Sequence, residues 1–157
     1  MEPSFEKLLV RLVDADVKFV LVGGVAVTLH GHVRLTEDVD ILLQSDRANV
    51  KKLLAALADY GEGFARELKE EEFTDDEGAI RIVEESEKSQ LDIFIRMSGM
   101  HFDDLAADAE KFAVSGRSVL YASKSALIRL KESSTREKDR LDAVALRQLK
   151  ADPRSFD

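Results

Sequence analysis

A short apolar run that ends in two glycines constrains the fold of this sequence most strongly. Residues 17–22 read Val-Lys-Phe-Val-Leu-Val, and Gly23 and Gly24 follow directly. β-Branched and aromatic residues bounded by glycine are typical of a largely buried strand that leaves into a tight turn. Because residues 25–31 then have a helical pattern, the sequence predicts a strand, a glycine turn and a short helix in close succession.

The rest of the chain continues this mixture of helices and strands. Further helices are predicted at 4–15, 123–132 and 136–150, and at a segment that ends at Gly61 and has Val50, Leu53, Leu54 and Leu57 on its apolar face. Further strands are predicted at 38–43, 80–84, 91–96, 112–114 and 119–121, the last four in two strand–turn–strand units. The acidic stretch 67–77 is predicted to be a solvated helix end and loop. We therefore predict an α/β (α+β) fold with a small mixed, twisted sheet and helices mainly on one face.

Length and composition indicate one domain and exclude several classes of protein. The 157 residues are 45% hydrophobic and 34% charged, which suits a single domain over 1–157 whose C-terminal helices 123–150 complete a cleft. A formal charge of -8 argues against a uniformly basic surface for duplex binding, although a local basic patch is allowed. The absence of cysteine excludes disulfides and thiol nucleophiles. Without a membrane-length apolar run or an export signal, the protein is expected in the cytoplasm, with no membrane partner.

Two aspartates on one predicted strand form a candidate metal site. Asp38 and Asp40 are one residue apart, so both carboxylates project from the same face of the strand, about 6 to 7 Å apart along it. Like charges this close destabilise the fold unless a cation compensates, and Mg²⁺ binds two carboxylates together with phosphate oxygens. A lone pair of this kind is usually solvated on an edge strand, but the apolar neighbours Val39 and 41–43 disfavour an edge.

A third acid interrupts another apolar strand. Alternation places Asp92 and Phe94 on one face and Leu91, Ile93 and Ile95 on the other. If this strand lies beside the first acidic strand, Asp92 brings a third carboxylate to the same ions. Three acids around two cations can activate a hydroxyl and stabilise an in-line phosphoryl displacement. The alternative is a hydrogen bond or salt bridge of Asp92 at the rim of the sheet.

The glycine turn is a candidate anion site. Gly23 and Gly24 lie between a strand and a short helix, where glycine lets backbone amides converge on an anion near the helix N-terminus. A glycine pair alone is also a common turn. The sequence has neither the Gly-Lys-Ser/Thr of a P-loop nor the Gly-x-Gly-x-x-Gly of a dinucleotide fold at this position, and the Asp38 region does not match an EF-hand.

The order of these motifs resembles the nucleotidyltransferase superfamily, which includes polymerase β and the aminoglycoside adenylyltransferases. The finer pattern is most similar to the AbiEii-type branch, known as toxins of abortive-infection and toxin–antitoxin pairs. The residues that carry this likeness are Val22-Gly23-Gly24-Val25-Ala26, Leu29-His30-Gly31, Arg34, Thr36 and Asp38-Val39-Asp40, with Asp92, Leu127–Lys131 and Arg136–Asp142 further along. The resemblance covers roughly residues 15–150. Many relatives have a serine whose hydroxyl touches phosphate where this chain has Gly24.

This resemblance implies a minimal nucleotidyltransferase domain that moves a nucleotidyl group from an NTP to an acceptor and releases pyrophosphate. It implies that Asp38 and Asp40 bridge two Mg²⁺ ions, that Asp92 holds the ion nearest the acceptor, and that Gly23 and Gly24 bind the phosphates. The acceptor is left open between a tRNA or other RNA, a protein and a small molecule. An antitoxin protein is a further expected partner.

Positive charge is concentrated near the C-terminus. Residues 124–150 contain eight basic and four acidic side chains, and Lys138 and Asp142 fall within the apolar stripe of the last predicted helix. One hypothesis is that Lys131 and Lys138 bind the triphosphate, with Asp142 orienting one of them. The other is a solvated Lys138–Asp142 pair worth only about 0.2 to 0.5 kcal/mol. Arg34 is assigned to the nucleotide or, equally, to bracing the loop before the acidic strand.

Two other classes of function compete with the enzyme. One is a non-catalytic nucleotide- or partner-binding subunit that keeps the fold, and the other is a purely structural interaction domain. Three acids on apolar strands favour the enzyme over both. Zinc is not expected, because His30, His32 and His101 lack partners at metal-ligand spacing, and His30 is predicted to be a packing or turn residue.

Overall fold

The computed structural model describes residues 3–31, 38–58, 68–84, 89–132 and 144–148. Within these ranges, six strands form one sheet in the order β3-β4-β2-β1-β6-β5. The strands are β1 (Phe19–Val22), β2 (Val39–Leu43), β3 (Ala79–Glu84), β4 (Ser89–Phe94), β5 (Glu110–Val114) and β6 (Arg117–Tyr121). The helices are α1 (Pro3–Asp14), α2 (Gly23–Leu29), α3 (Arg47–Ala56), α4 (Phe102–Ala106) and α5 (Lys124–Glu132), with a short 3-10 helix at Glu70–Glu72 and helical residues 144–148.

The sheet combines parallel and antiparallel pairs. β1 runs antiparallel to β2 and parallel to β6, and β2 runs parallel to β4. β3 and β5 occupy the two edges, each antiparallel to its hairpin partner. This arrangement confirms the predicted α/β (α+β) class with a small mixed sheet, and it confirms both predicted strand–turn–strand units. In the described parts of the chain, no helix combines the length and apolar character that a membrane span needs.

The helices cover the sheet through the apolar faces that the sequence predicts. On α1 the side chains of Phe5, Leu8, Leu9 and Leu12 recur at helical spacing and are all buried.

Polar side chains hold the ends of two helices. The Arg117 guanidinium donates to both carboxylate oxygens of Asp14, at 2.7 and 3.0 Å, and so joins the end of α1 to β6. The N-terminus of α3 is capped by the Asp46 carboxylate, which accepts from the backbone N–H of Ala48.

A buried amide shifts the start of the first strand. The backbone N–H of Lys18 donates to the Oδ1 of Asn49 at 2.7 Å, and the Asn49 Nδ2 donates to the backbone oxygens of Lys18 and Gln44. The Lys18 N–H therefore has a side chain as its partner, and the Val17 N–H donates to the backbone oxygen of Leu12 at 3.1 Å, so β1 begins at Phe19 and not at Val17. The predicted helix end at Gly61 and most of the predicted helix 136–150 lie outside the described residues.

A carboxylate organises the turn that follows β4. Glu77 accepts hydrogen bonds from the backbone N–H groups of Ser98 (2.7 Å) and Gly99 (3.0 Å) and from the Nε of Arg96 (2.9 Å). The Ser98 hydroxyl in turn donates to the backbone oxygen of Leu130 in α5. The Gly99 amide, then the Ser98 amide and Arg96, hold the pKa of Glu77 below its usual value. Glu77 therefore fixes the turn after β4, and Ser98 in that turn contacts α5.

We expect Glu77→Gln to destabilise the protein near neutral pH and to have no effect in acid. A lowered folded-state pKa gives stability that is present above the ordinary pKa of a glutamate and lost as the pH falls through the folded value. The expected loss is about 1 kcal/mol, since hydrogen bonds to charged groups are worth about 1.5 to 3 kcal/mol and the partly exposed carboxylate is screened. Urea unfolding of both proteins from pH 7 down to pH 3 measures the difference. Glu71→Gln, a change at an exposed acid, is the control, and equal stabilities at pH 7 would contradict the assignment.

Candidate active site

Three carboxylates meet where β2 and β4 lie side by side. Asp40 is the direct partner of Asp92 in the parallel β2–β4 register, and Asp38 immediately precedes β2. One ligand oxygen from each of the three lies within 4.8 Å of the other two. The structure therefore brings together the three acids that the sequence analysis singles out.

The pleat of the two strands explains this arrangement. Val39 and Ile41, which flank Asp40, are completely buried, and so is Leu91 beside Asp92. Successive side chains point to opposite faces of a strand, so these apolar residues enter the core while the acids project from the other face. Asp92 itself is only 3% exposed, whereas Asp38 and Asp40 are half-buried. Buried charges of this kind need hydrogen bonds or a cation as partners.

Two side chains that the sequence analysis did not single out hold the Asp92 carboxylate. Arg81, its direct partner across the β3–β4 pair, donates from Nε to Oδ1 at 3.0 Å and from Nη2 to Oδ2 at 3.4 Å. The Nε2 of Gln90 lies 3.4 Å from Oδ1 and 3.3 Å from Oδ2. Gln90 precedes Asp92 by two residues and therefore shares its face of β4. The salt bridge that the sequence analysis gave as the alternative role of Asp92 is therefore present, with Arg81 as the partner.

The charge of Arg81 responds to all three acids. Its hydrogen bond to Asp92 and the attraction of that carboxylate raise the pKa of Arg81 above its usual value, and Asp38 and Asp40 act in the same direction. The arginine side chain is 62% exposed, so its charge lies at the rim of the site while Asp92 lies inside.

The ligand chemistry of the cluster fits a hard divalent cation. All three candidate ligands are carboxylate oxygens, which Mg²⁺ prefers. Oxygens bound to the same Mg²⁺ are about 3 to 4 Å apart in an octahedral shell. The observed upper limit of 4.8 Å is close to that spacing, so small side-chain movements suffice to complete a site.

The first glycine of the turn touches the acidic cluster. Gly23 has a φ of +69°, and a Cβ added to it would lie 2.0 Å from the Oδ2 of Asp40. Val22 pairs with Asp40 across the β1–β2 ladder, which brings the start of α2 against that carboxylate. Only glycine fits both the backbone conformation and the space. Gly24, the second residue of α2, is buried.

Four other predicted site residues lie wholly, or with their side chains, outside the described part of the chain. Arg34, Lys138 and Asp142 lie outside the described residues, and Lys131 belongs to α5 but its side chain lies outside them too. His30 is a packing residue as predicted, because it is buried and stacks at a tilt on Tyr121 with ring centres 5.0 Å apart.

Two solved structures have a fold similar to that of this chain. The chain is similar in structure to the lincosamide antibiotic adenylyltransferase LnuA in its lincomycin-bound form, with a TM-score of 0.58 and 18% identity over 96% of this chain and 98% of the other. It is also similar to an antigenic nucleotidyltransferase-like protein from Paracoccidioides brasiliensis, with a TM-score of 0.52 and 15% identity over 97% of this chain and 78% of the other. At these identities the likeness establishes the nucleotidyltransferase fold. Among curated proteins, none matches the sequence significantly.

The sequence itself carries the family assignment. Residues 7–153 match the family described as "Nucleotidyl transferase AbiEii toxin, Type IV TA system". This match spans nearly the whole chain and contains the glycine turn and all three acids. The protein is therefore a nucleotidyltransferase and belongs to the AbiEii family.

Proposed function

We propose that the protein transfers a nucleotidyl group from an NTP to a hydroxyl of an acceptor in a Mg²⁺-dependent reaction. The acceptor oxygen forms a bond to the α-phosphorus, the bond from that phosphorus to the α,β-bridging oxygen breaks, and pyrophosphate leaves. The hydroxyl proton passes to solvent. The observation that supports this proposal best is the convergence of Asp38, Asp40 and Asp92 within 4.8 Å of one another in a chain of this family.

In this proposal each acid has a distinct place. Asp38 and Asp40 would hold both expected Mg²⁺ ions, and Asp92 would hold the ion on the acceptor side. When bound, the ions would supply charge stabilisation for the attacking and leaving oxygens. Gly23 keeps the space beside Asp40 clear, so the phosphates can approach the acids closely. The amides of Gly23 and Gly24 are proposed to contact these phosphates.

The basic C-terminal residues are proposed to complete the phosphate site. Lys131 and Lys138 would bind the triphosphate, with Asp142 orienting one of them, and Arg34, which precedes β2 in the sequence, would contact the nucleotide. This proposal is based on the segregated positive charge of 124–150. It treats 1–157 as one nucleotidyltransferase domain in which the helices of 123–150 complete the cleft.

We further propose a macromolecular acceptor, with an RNA such as tRNA as the first candidate. The family description names a toxin of a type IV toxin–antitoxin system. A toxin needs a target whose modification harms the cell, and an RNA offers terminal hydroxyls that can accept a nucleotidyl group. The proposed setting is the cytoplasm, and the proposed partner is an antitoxin protein.

The position of a radioactive phosphate in the NTP shows whether the protein transfers a nucleotidyl group. The protein is incubated with Mg²⁺, total cellular RNA or lysate, and each NTP labelled in turn at the α- or the γ-phosphate. We expect one NTP to transfer its α-label to an acceptor, while its γ-label appears in pyrophosphate. Nuclease and protease treatment of the product then identifies the acceptor class. Transfer of the γ-label, or no transfer from any NTP with RNA or lysate, would contradict the proposal, and NTP binding without transfer would favour a non-catalytic subunit.

A further inference from the structure

We infer that Arg81 is a positioning residue, which holds the Asp92 carboxylate in the orientation that binds the divalent cation. The inference rests on the proposed function, because it assigns a role toward the same metal site. Its basis is a row of three residues across adjacent strands: Arg81 on β3 pairs directly with Asp92 on β4, and Asp92 pairs directly with Asp40 on β2.

This row places the arginine and the two other acids on opposite sides of Asp92. The strand order β3-β4-β2 sets Arg81 on one flank of the carboxylate and Asp38 and Asp40 on the other. Repulsion from Asp38 and Asp40 pushes the Asp92 carboxylate away from β2, whereas the two-point contact with Arg81 fixes its plane. The guanidinium belongs to β3, so its contact with Asp92 comes from the strand on the far side of β4 from Asp40.

The contact distances suggest different roles for the two carboxylate oxygens of Asp92: one is anchored by Arg81 and the other binds the cation. Oδ1 accepts the short hydrogen bond, at 3.0 Å from the Nε of Arg81. Among the described residues, Oδ2 has only longer contacts, at 3.4 Å from the Nη2 of Arg81 and 3.3 Å from the Nε2 of Gln90. The geometry therefore anchors the carboxylate through Oδ1 and keeps Oδ2 as the better ligand oxygen. Metal sites commonly depend on outer hydrogen bonds of this kind, whose loss costs about 10- to 100-fold in affinity or activity.

The direction in which metal affinity changes when Arg81 is replaced distinguishes a positioning role from a purely electrostatic one. A guanidinium beside a metal site repels the incoming cation, so a role limited to charge or to blocking predicts tighter metal binding once Arg81 is removed. Positioning predicts the opposite, because an unanchored Asp92 turns away from its neighbours. Arg81→Lys keeps the positive charge but replaces the planar fork with a single ammonium, so positioning predicts weaker binding for this variant as well.

The test is a titration of the full chain with Mn²⁺ in the absence of nucleotide. The electron paramagnetic resonance signal of the free ion measures binding. We expect Arg81→Ala to raise the Mn²⁺ Kd about tenfold or more, and Arg81→Lys to raise it severalfold. Arg117→Ala is the matched control, since it removes the two-point contact between Arg117 and Asp14, away from the acids, and should leave the Mn²⁺ Kd unchanged. Thermal unfolding of each variant shows whether the protein is folded during the titration.

The outcomes distinguish this inference from the proposed function. An unchanged or lower Mn²⁺ Kd in the folded Arg81→Lys protein overturns the positioning role. If the wild-type protein binds Mn²⁺ and Asp40→Asn does not, the metal site stands whatever the Arg81 result. If wild type and Asp40→Asn bind Mn²⁺ equally, the metal site itself is refuted.

Discussion

Replacing Asp38 and Asp40 together by asparagine is expected to abolish nucleotidyl transfer while leaving the protein folded and at least as stable as the wild type. The activity loss should exceed about 100-fold, since losing even an outer support of a metal ligand costs about 10- to 100-fold. Stability should hold or rise without Mg²⁺, because the like charges within 4.8 Å of Asp92 are removed. Label transfer and urea unfolding in EDTA measure the two effects.

A neighbouring acid provides the control for this double variant. Asp46 caps α3 just after β2, and asparagine caps a helix as well as aspartate does. Asp46→Asn should therefore retain both activity and stability. Unfolding of the Asp38→Asn/Asp40→Asn protein would instead assign these acids a structural role, and full activity in it would remove them from the reaction.

Gly23→Ala is the second change with a large expected effect. A methyl group at this position meets the Oδ2 of Asp40 at 2.0 Å and its Cγ at 2.8 Å, so either the strand end or the carboxylate must move. The left-handed backbone conformation adds about 1 to 2 kcal/mol for a residue with a Cβ. We expect loss of stability of at least that size and a loss of transfer activity of about 100-fold or more, as for a displaced metal ligand.

Gly116→Ala separates the backbone cost from the clash. Gly116 has a similar φ of +80° in the β5–β6 turn, but an added Cβ there meets nothing within 4 Å. This control should lose stability and keep its activity, measured under conditions where both variants are folded. If Gly23→Ala is as active as Gly116→Ala, the close approach of the turn to Asp40 has no catalytic importance.

The sequence predicted the three acids of the site better than the residues that contact them, which are Arg81, Gln90 and Gly23. The two-residue spacing places Asp38 and Asp40 on one face of any strand, and the apolar flanks of Asp92 indicate a strand as well. Their meeting depends on the parallel pairing of β2 with β4, which local patterns do not specify and which the family resemblance implied. The position of Gly23 beside Asp40 follows from the β1–β2 register in the same way.

The contact between Arg81 and Asp92 could not be derived from the sequence alone. Both residues lie on predicted strands of one hairpin, but a shift of one residue in the register would turn Arg81 to the opposite face. The predicted strands 80–84 and 91–96 differ at their ends from those observed, because pairing begins at Ser89 and stops at Phe94. After Phe94 the chain turns at Ser98 and Gly99, whose backbone N–H groups donate to Glu77. The residues after Phe94 therefore leave the sheet.

The most direct test of the metal-dependent mechanism is to locate the cation. Crystals of the wild-type protein grown with Mn²⁺ and a non-hydrolysable analogue of the NTP that supports transfer would be measured at the manganese absorption edge. We predict anomalous density between Asp38, Asp40 and Asp92, next to the phosphates of the analogue, and its loss in the Asp38→Asn/Asp40→Asn protein. Manganese bound elsewhere, or triphosphate bound away from these three carboxylates, would contradict the proposed active site.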